Sequence, residues 1–256
     1  MRLQDLFNAH SARYRRVRPA CPESWFAWLA QAAPARERVW DAGTGPGTVA
    51  CALAPMFAEV FATDISAGAL EAAPPVRNVH WAIEPAERSS IATSTVDLVT
   101  AGAAFHWFDQ PRFLREARRV LRPGGVIAVW AYTDRPEDSE LATLLDQHLA
   151  PLDAHRAPEL RLALDGYQDL DLGGTPIPAP PFTLTSLLDY EGTLDLVRSW
   201  SAAIRYEQHT QLDAAQLVAQ PLAAFWTQRV GPRDRPMHLS WAGTARVERF
   251  GSRPAP

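Results

Sequence analysis

The feature that most constrains this chain is a glycine-rich turn between an apolar strand and a helix. Residues 39–47 read Val-Trp-Asp-Ala-Gly-Thr-Gly-Pro-Gly. Glycine has no Cβ and lets the backbone approach a ligand closely, and the helix predicted after the turn offers unpaired N–H groups at its amino terminus. The chain contains no lysine, so the turn is not a Walker phosphate loop, which requires one. The turn therefore predicts a small-molecule site at the carboxyl end of a strand.

The glycine spacing also separates this turn from the dinucleotide fingerprint. Gly43, Gly45 and Gly47 form the pattern G-x-G-x-G, whereas a dinucleotide turn follows G-x-G-x-x-G. Asp41 lies just before the first glycine. Its carboxylate suits a cationic ligand such as the amino group of a methionyl moiety, and it equally suits an Asx residue that organises the turn. Both interpretations of Asp41 stay open at this point.

Strands and helices alternate up to residue 132. Short apolar runs predict strands, and segments with helical spacing or stop signals predict helices. The predicted strands are residues 37–43, 59–66, 78–84, 96–104 and 125–132. The predicted helices are residues 23–33, 47–57, 67–74 and a segment from residue 110 that Pro123-Gly124-Gly125 ends. This order predicts a doubly wound α/β sheet, whose ligands bind beyond the carboxyl ends of the strands.

The regular alternation of predicted strands and helices ends after residue 132. Residues 134–167 predict two helices, and residues 173–181 form a connector rich in proline and glycine. A strand is predicted over residues 182–192, helices over 193–229, and a strand pair or one long strand over 236–250. We therefore predict three regions: a core with an amino-terminal helical cap (1–132), a helical lid and linker (133–181), and a carboxyl-terminal part that completes the sheet and the substrate site (182–256).

A second acidic residue follows the glycine turn at a spacing typical of ribose binding. Asp64 ends the second predicted strand, about 20 residues after the first glycine, where an acidic side chain can accept hydrogen bonds from a ribose diol. Asp64 could instead cap the next helix, and the register with the turn favours the ribose interpretation. Together the two motifs indicate a nucleoside cofactor, either a dinucleotide or S-adenosylmethionine.

With these motifs the chain resembles the class I S-adenosylmethionine-dependent methyltransferases. It is most similar to the trans-aconitate methyltransferase-like, or methyltransferase type 11, branch. The resemblance rests on the glycine turn, Asp64, Ala86-Glu87, the run VDLVTAGAAFHWFD and the run RVLRPGG before a strand. Near the amino terminus, Tyr14, Arg18-Pro19 and Pro22 fit the branch pattern Y-x-x-x-R-P-x-Y-P, with Cys21 in place of its second tyrosine. The fold it implies is a seven-stranded Rossmann-like sheet with a helical lid inserted after the fifth strand.

The resemblance implies a set of cofactor-binding residues. It places the backbone of Gly43, Thr44 and Gly45 along the methionyl and ribose portion, and Asp41 at the amino group. It places Asp64 at the ribose hydroxyls. The remaining implied positions are Ile65 on the adenine face, Ala86 and Glu87 at the adenine edge, Ala103 near the cofactor amine, and Tyr14 and Arg18 over the methionyl carboxylate.

His106 is the candidate catalytic residue, because it follows the fourth predicted strand at the ligand edge of the sheet. As a general base it would take a proton from the methyl acceptor. In its aromatic context, Ala-Ala-Phe-His-Trp-Phe, it could equally be a packed histidine that orients its neighbours. Methyl transfer to a ready nucleophile needs no base, so both roles fit the expected reaction.

Charge and composition exclude other classes. A net charge of −4 with a pI near 6.0 gives no electrostatic signal for nucleic acid. No apolar run reaches the roughly 20 residues of a membrane helix, and the amino terminus lacks a secretory pattern, so we expect a cytoplasmic protein. The seven histidines and two cysteines show no metal-ligand spacing, so no metal is expected. Nothing in the sequence indicates an oligomeric state.

The expected activity is methyl transfer from S-adenosylmethionine to a small molecule of secondary metabolism, most directly to an oxygen of a carboxylate or phenol. Alternatives within the family are a C-methyltransferase and a non-methylating member, either cyclase- or pericyclase-like or a binding protein. A nicotinamide oxidoreductase is disfavoured by the glycine spacing and by the absence of lysine. Arg198 and Arg205, near Trp200, could bind a substrate carboxylate, and the tryptophans of the carboxyl half are expected to pack in the core.

Overall fold

The computed structural model describes residues 16–251 and shows a central β-sheet with helices on both faces. The described strands are β1 (Arg38–Ala42), β2 (Glu59–Asp64), β3 (Val79–Ile83), β4 (Val96–Gly102), β5 (Leu121–Tyr132), β6 (Thr175–Pro176), β7 (Thr183–Leu188) and β8 (Met237–Arg249). The described α-helices are α1 (Glu23–Ala32), α2 (Thr48–Leu53), α3 (Ala67–Glu71), α4 (Gln110–Val120), α5 (Ser139–Leu149), α6 (Leu160–Leu164), α7 (Tyr190–Arg198), α8 (Ser201–Thr210) and α9 (Gln216–Arg229).

The strand order confirms the predicted doubly wound, Rossmann-like sheet. It runs β3-β2-β1-β4-β5-β8-β6, and β7 pairs with β8 off this path. The first five strands are parallel, and β8 is antiparallel to β5. The order reverses between β1 and β4, and in such sheets the crevice at the carboxyl ends of those strands is where a ligand binds.

The last strand joins the two halves of the sheet. Its carboxyl half pairs with β5 from Tyr132↔Gly243 to Val126↔Arg249, and its amino half pairs with β7 from Thr183↔Ala242 onward. The sequence was compatible with either a strand pair or one long strand here, and the structure shows one long strand. A Cβ on Gly243 would lie 2.2 Å from the Phe182 ring, so the strand changes partners where only glycine fits.

Alternate side chains of the central strands belong to two different apolar layers, one on each face of the sheet. Val39, Leu98 and Val126 face the layer that contains α1, while their chain neighbours Trp40 and Ile127 face the layer beneath α4. All five are fully buried. Burying a side chain of this kind stabilises the fold by about 1.5–3 kcal/mol, so parallel strands covered on both faces are nearly continuous in apolar residues.

Several element boundaries differ from the predicted ones. Helix α3 ends at Glu71 instead of residue 74, and β7 ends at Leu188 with α7 beginning at Tyr190, inside the strand predicted up to residue 192. The side chain of Asp189 accepts a hydrogen bond from Gly192 N and caps α7 at this point.

Helix α2 ends at Leu53 instead of residue 57, because Pro55 cannot donate the next helical hydrogen bond. Helix α4 ends at Val120, and β5 begins at Leu121, ahead of the expected stop at Pro123. The early part of β5 is held by the pairing of Leu121 with Val96, with a register shift before the regular ladder resumes.

Residues 133–181, termed the post-β5 segment, contain α5, a 3₁₀ turn (Ala150–His155), α6 and β6. The buried Glu248 of β8 holds its far end, because the carboxylate accepts hydrogen bonds from Leu172 N at 3.1 Å and Gly174 N at 2.7 Å. Arg246 Nε donates to the carbonyl oxygen of Tyr167 at 2.7 Å. Strand β8 therefore fixes where this segment lies over the sheet. Within residues 16–251, no helix has the length and apolar character that crossing a bilayer requires.

Candidate active site

A cavity of about 480 Å³ opens at the carboxyl ends of β1, β2 and β4, at the reversal of strand order. We call it the first cavity. Its volume is within the range of ~300–1,000 Å³ that is usual for small-molecule sites. The predicted cofactor-binding residues that line it are Arg18, Asp41, Gly43, Thr44, Gly45, Asp64, Ile65, Ala86, Glu87 and Ala103. Tyr14, the remaining one, lies outside the described residues.

The glycine turn needs glycine for two different reasons. Gly47 has φ +83°, and a Cβ there would lie 2.3 Å from the ring of Trp81, so a side chain is excluded by conformation and by contact. Gly45 has φ +55°, and a Cβ there would meet nothing within 4 Å. The backbone at Gly45 therefore faces open space in the first cavity, which leaves room for a ligand to lie directly against it.

Asp64 ties the turn to the second strand. Its Oδ2 accepts a hydrogen bond from Gly45 N at 2.8 Å, and its Oδ1 accepts one from Ser66 N at 2.8 Å. The side chain that caps α3 is Ser66, whose Oγ accepts from Ala69 N, so Asp64 does not serve as that cap. Burial raises the pKa of Asp64, and the backbone hydrogen bonds oppose the rise. Each carboxylate oxygen keeps a second lone pair, which a ligand hydroxyl can use.

Asp41 is buried beneath the same turn and is 1% exposed. Thr44 Oγ1 donates to Oδ2 at 2.5 Å, and Thr100 Oγ1 donates to Oδ1 at 2.8 Å. Burial raises the pKa of Asp41 to about 7, against these hydrogen bonds, which lower it. The carboxylate thus organises the turn and also lines the first cavity, so the two interpretations of this residue are compatible.

The loop after β3 forms the far wall of the first cavity and is held by α4. Glu87 Oε1 accepts from Asp109 N at 2.8 Å, just before α4 begins. On α4 itself, Glu116 accepts from Ser89 N at 2.7 Å and from Ser89 Oγ at 2.8 Å. Arg119 donates to Glu116 and to the carbonyl oxygen of Ile91. These contacts hold Ala86 and Glu87 in the wall of the first cavity.

A second cavity, of about 120 Å³, lies on the other side of a wall that it shares with the first. The post-β5 segment and the start of α8 close over it. The residues common to both cavities are Arg18, Ala103, Trp107 and Tyr132. The other residues that line the second cavity include His106, Asp134, Leu149, Leu152, Arg156, Ala163, Trp200 and Ala202.

Ala103 occupies a strained position in the shared wall. Its φ is +52°, a left-handed conformation that residues other than glycine rarely adopt. Its N–H donates to the carbonyl oxygen of Trp130 at 2.8 Å, which holds the backbone in place. Strained residues of this kind concentrate at functional sites. Ala103 lines both cavities at this point.

The second cavity carries two guanidinium groups. Arg156 pairs with Asp134 at 2.5 Å and with Asp153 at 2.8 Å. Arg18 donates to Tyr132 Oη at 3.0 Å and to the carbonyl oxygen of Ser199 at 2.7 Å. Among the charged side chains that line this cavity are two arginines and one aspartate, Asp134, and the carboxylates of Asp134 and Asp153 both pair with Arg156.

His106 faces the second cavity and does not line the first. It is 5% exposed, and its Nδ1 lies 3.0 Å from the hydroxyl of Tyr167. Burial lowers the pKa of His106 to about 4, so the imidazole is neutral near pH 7. The structure therefore combines the packed position of one interpretation with the ligand-facing position of the other.

The sequence missed most of the second cavity. Arg156 and Tyr167 belong to the post-β5 segment, where no motif marks them. Trp200 lines the cavity, whereas Trp226 and Trp241 pack in the core as expected. Arg198 is bound by Asp213 and Asp195 and lines neither cavity, and Arg205 lines neither. One signal was available: Tyr132 ends the fifth predicted strand, at the edge where ligands bind.

Comparison with known proteins agrees with this geometry. Residues 40–129, which span β1 to most of β5, match the family described as methyltransferase domain. A solved structure from Anaeromyxobacter dehalogenans, assigned as a type II methyltransferase, is 31% identical to this chain. The two superpose with a TM-score of 0.80 over 91% of this chain and 99% of that one.

Two curated relatives extend the similarity. A protein of Dictyostelium discoideum assigned as a methyltransferase is 25% identical over 205 residues, which is 78% of each chain. An uncharacterized methyltransferase of Mycobacterium tuberculosis is 34% identical over 132 residues. That match covers 50% of this chain and 53% of the relative, so the chain spans about half of its length.

Proposed function

The chain belongs to the class I S-adenosylmethionine-dependent methyltransferases, and from this premise we propose that it methylates an oxygen atom of a small molecule bound in the second cavity. S-adenosylmethionine is the cofactor of this family, and the residues of the first cavity suit it. The open backbone at Gly45, the lone pairs of Asp64 and the buried carboxylate of Asp41 provide close contact, ribose acceptors and a partner for a cation. When bound, the cofactor supplies an electrophilic methyl group on a sulfonium.

The shared wall is the observation that carries the proposal. Arg18, Ala103, Trp107 and Tyr132 line both cavities, so a donor in one and an acceptor in the other would meet at this wall. Methyl transfer is an in-line displacement, and holding the two reactants aligned accounts for much of its acceleration. A cofactor held in the first cavity would supply the methyl group: the acceptor oxygen would form the new O–C bond as the S–C bond breaks, and the electron pair of that bond would leave with sulfur as S-adenosylhomocysteine.

The character of the second cavity supports a small, anionic oxygen acceptor, either a carboxylate or a phenolate. Its volume of about 120 Å³ suits a small molecule and not a polymer. Its apolar side chains, among them Leu152, Ala163 and Trp200, suit a hydrocarbon body, and Arg18 and Arg156 suit a negative charge. The chain's net charge of −4 gives no support for a nucleic-acid acceptor.

This proposal gives each predicted region a task. Residues 1–132 hold the cofactor, residues 182–256 complete the sheet and contribute to the acceptor site, and residues 133–181 act as lid and linker. The lid role is supported by the position of Leu149, Leu152 and Arg156 along the second cavity. A segment there excludes water from the acceptor, which strengthens the electrostatic contacts inside.

The test is to incubate the purified protein with S-adenosylmethionine and a panel of small carboxylic acids and phenols, with product detection by mass spectrometry. We expect equal amounts of S-adenosylhomocysteine and of an ester or ether. Ala202→Phe should fill the second cavity and lower turnover at least 10-fold with the cofactor Kd unchanged, while Glu207→Phe on the exposed face of the same helix should not. Methylation on carbon or nitrogen, or binding without transfer, contradicts the proposal.

A further inference from the structure

Tyr167 is the one aromatic residue of the described chain that the structure hydrogen-bonds to His106. It follows α6 in the turn after Gly166, with φ +55°. Its side chain is fully buried, and its ring lies edge-on to Phe105 with centroids 5.9 Å apart. Arg246 Nε donates to its carbonyl oxygen. The hydrogen bond from Arg246 fixes the backbone of Tyr167 and the contact with Phe105 fixes its ring, so the hydroxyl has a defined position.

The direction of the hydrogen bond between Tyr167 and His106 follows from donor and acceptor counting. The hydroxyl lies 3.0 Å from His106 Nδ1, and burial raises the pKa of Tyr167, so the phenol keeps its proton near pH 7. The hydroxyl proton needs an acceptor, and in the described part of the chain the structure provides Nδ1 of His106 alone. If Nδ1 carried a proton, the buried phenol would have no acceptor, which is costly. Tyr167 therefore donates to Nδ1.

A neutral imidazole has one N–H, so an unprotonated Nδ1 places the proton on Nε2. Tyr167 does not line the second cavity, whereas His106 does. The Nδ1 edge of the ring thus faces Tyr167, away from the cavity. Within residues 16–251, the hydrogen bond that the structure gives the His106 ring is at Nδ1, and it gives none at Nε2. The edge that faces the cavity is a hydrogen-bond donor.

We infer that Tyr167 is a positioning residue that holds His106 in the Nε2–H tautomer, so that His106 donates a hydrogen bond to an oxygen of the methyl acceptor and takes no proton from it. The inference rests on the proposed function, because it uses the second cavity as the acceptor site. It narrows the acceptor to molecules with a lone pair, and no hydrogen, at that position. A carboxylate or phenolate oxygen fits, whereas a neutral hydroxyl with no stronger base to remove its proton does not.

The surroundings of His106 agree with a neutral ring. Burial disfavours the imidazolium, because the charged form loses its hydration. The titratable or charged groups that share the second cavity or lie behind Tyr167 are Arg18, Tyr132, Asp134, Arg156 and Arg246. Asp134, the carboxylate among them, pairs with Arg156 and not with His106, so burial keeps the ring neutral over the working range of pH.

The tautomer can be read directly by long-range proton–nitrogen NMR of the histidine side chains, on the protein alone at pH 7. The His106 signals are assigned by their loss in His106→Gln. We expect an unprotonated Nδ1 and a protonated Nε2. Tyr167→Phe should mix the two tautomers, while Tyr206→Phe, a partly comparable buried tyrosine that contacts His155, should leave the His106 signals in place. A protonated Nδ1 in the unmutated protein overturns the inference, whether or not an acceptor has been found.

Kinetics with an acceptor that the protein methylates distinguish a hydrogen-bond donor role of His106 from a general-base role. His106→Gln keeps an N–H donor and should retain activity within about 10-fold, while His106→Leu should raise the acceptor KM about 10-fold or more with the cofactor Kd unchanged. Tyr167→Phe should also raise the acceptor KM more than it lowers kcat. Because His106 stays neutral above pH 5, its titration should leave kcat unchanged from pH 6 to 8. Loss of kcat in His106→Gln with KM preserved contradicts the donor role.

Discussion

Two carboxylates at the ends of neighbouring strands do different work in the first cavity. The Asp41 carboxylate accepts hydrogen bonds from the hydroxyls of Thr44 and Thr100, so it connects the turn to the neighbouring strand. Asp64 is bonded by backbone N–H groups of Gly45 and Ser66, which leaves its oxygens able to accept further hydrogen bonds. The first organises the site, and the second offers acceptors to a ligand.

Asp64→Asn should weaken binding of S-adenosylmethionine at least 10-fold, measured by isothermal titration calorimetry. The amide cannot accept on both sides, so it loses a contact to the turn or to the ribose, and a hydrogen bond to a charged group contributes about 1.5–3 kcal/mol. Asp64→Ala should abolish binding. Glu71→Gln, an exposed change at the end of α3, serves as the control. Unchanged affinity of Asp64→Ala for S-adenosylmethionine would contradict the assignment of Asp64 to the ribose hydroxyls.

Asp41 predicts a pH dependence of cofactor binding. Its pKa of about 7 in the folded protein means that the carboxyl is mostly neutral at pH 6 and mostly ionised at pH 8. The ionised form attracts the amino group of the cofactor, so affinity should rise with pH across this window. In Asp41→Asn the rise should be smaller by the part that Asp41 contributes. Calorimetric titrations of both proteins at pH 6, 7 and 8 measure the difference, and parallel curves would rule out a role for this ionisation.

The residues that the sequence identified are those whose role is set by local spacing. Gly45 and Gly47 belong to one turn, and Asp64 lies at the end of the strand beside it, so a linear pattern is enough to find them. Arg156 reaches the second cavity, and Tyr167 reaches His106 behind it, because β8 fixes the post-β5 segment over the sheet. Their contacts join residues far apart in sequence, and no periodicity marks them.

Among the elements, α4 does more than cover the sheet. Glu116 and Arg119 on its last turns hold the loop after β3 through Ser89 and Ile91. Burial raises the pKa of Glu116, but the hydrogen bonds from Arg119 and Ser89 outweigh it, and the net shift is downward. The carboxylate is thus charged at neutral pH and holds the loop that carries Ala86 and Glu87.

Glu116→Gln should loosen that loop without unfolding the helix. The amide loses the ion pair with Arg119 and one strong acceptor for Ser89, so we expect faster amide hydrogen exchange over residues 86–91 and a cofactor Kd several-fold higher. Arg115→Gln, an exposed change on the same helix, is the matched control. Equal exchange rates in Glu116→Gln and the unmutated protein would show that the loop is held by other contacts.

The strands that form the first five positions of the sheet were predicted to within about two residues except at the start of β5. Their apolar runs are short, and glycine, proline or charged residues bound them. The start of β5 was misplaced because Pro123-Gly124-Gly125 reads locally as a stop, while pairing with Val96 continues the strand through it. The carboxyl half offered weaker signals, since β8 pairs with two strands and only tertiary contacts decide that it is continuous.

At the scale of the whole molecule, the arrangement is two cavities with one wall between them. The sheet and its turns build the first cavity, and the post-β5 segment with α8 closes the second. In the proposed function, the donor binds where the motifs are strongest and the acceptor binds among segments that carry none. The sequence predicted the fold and the residues that line the first cavity, and the structure was needed to find the second cavity.

The most direct test of this two-cavity arrangement is a crystal structure of the protein with S-adenosylhomocysteine. We predict that the ribose hydroxyls lie at Asp64 and that the sulfur lies against Ala103 in the shared wall, with the second cavity open beside it. An acceptor soaked into such crystals should then occupy the second cavity, next to His106. If S-adenosylhomocysteine itself fills the second cavity, or if its sulfur turns away from Ala103, the assignment of donor and acceptor sites is wrong.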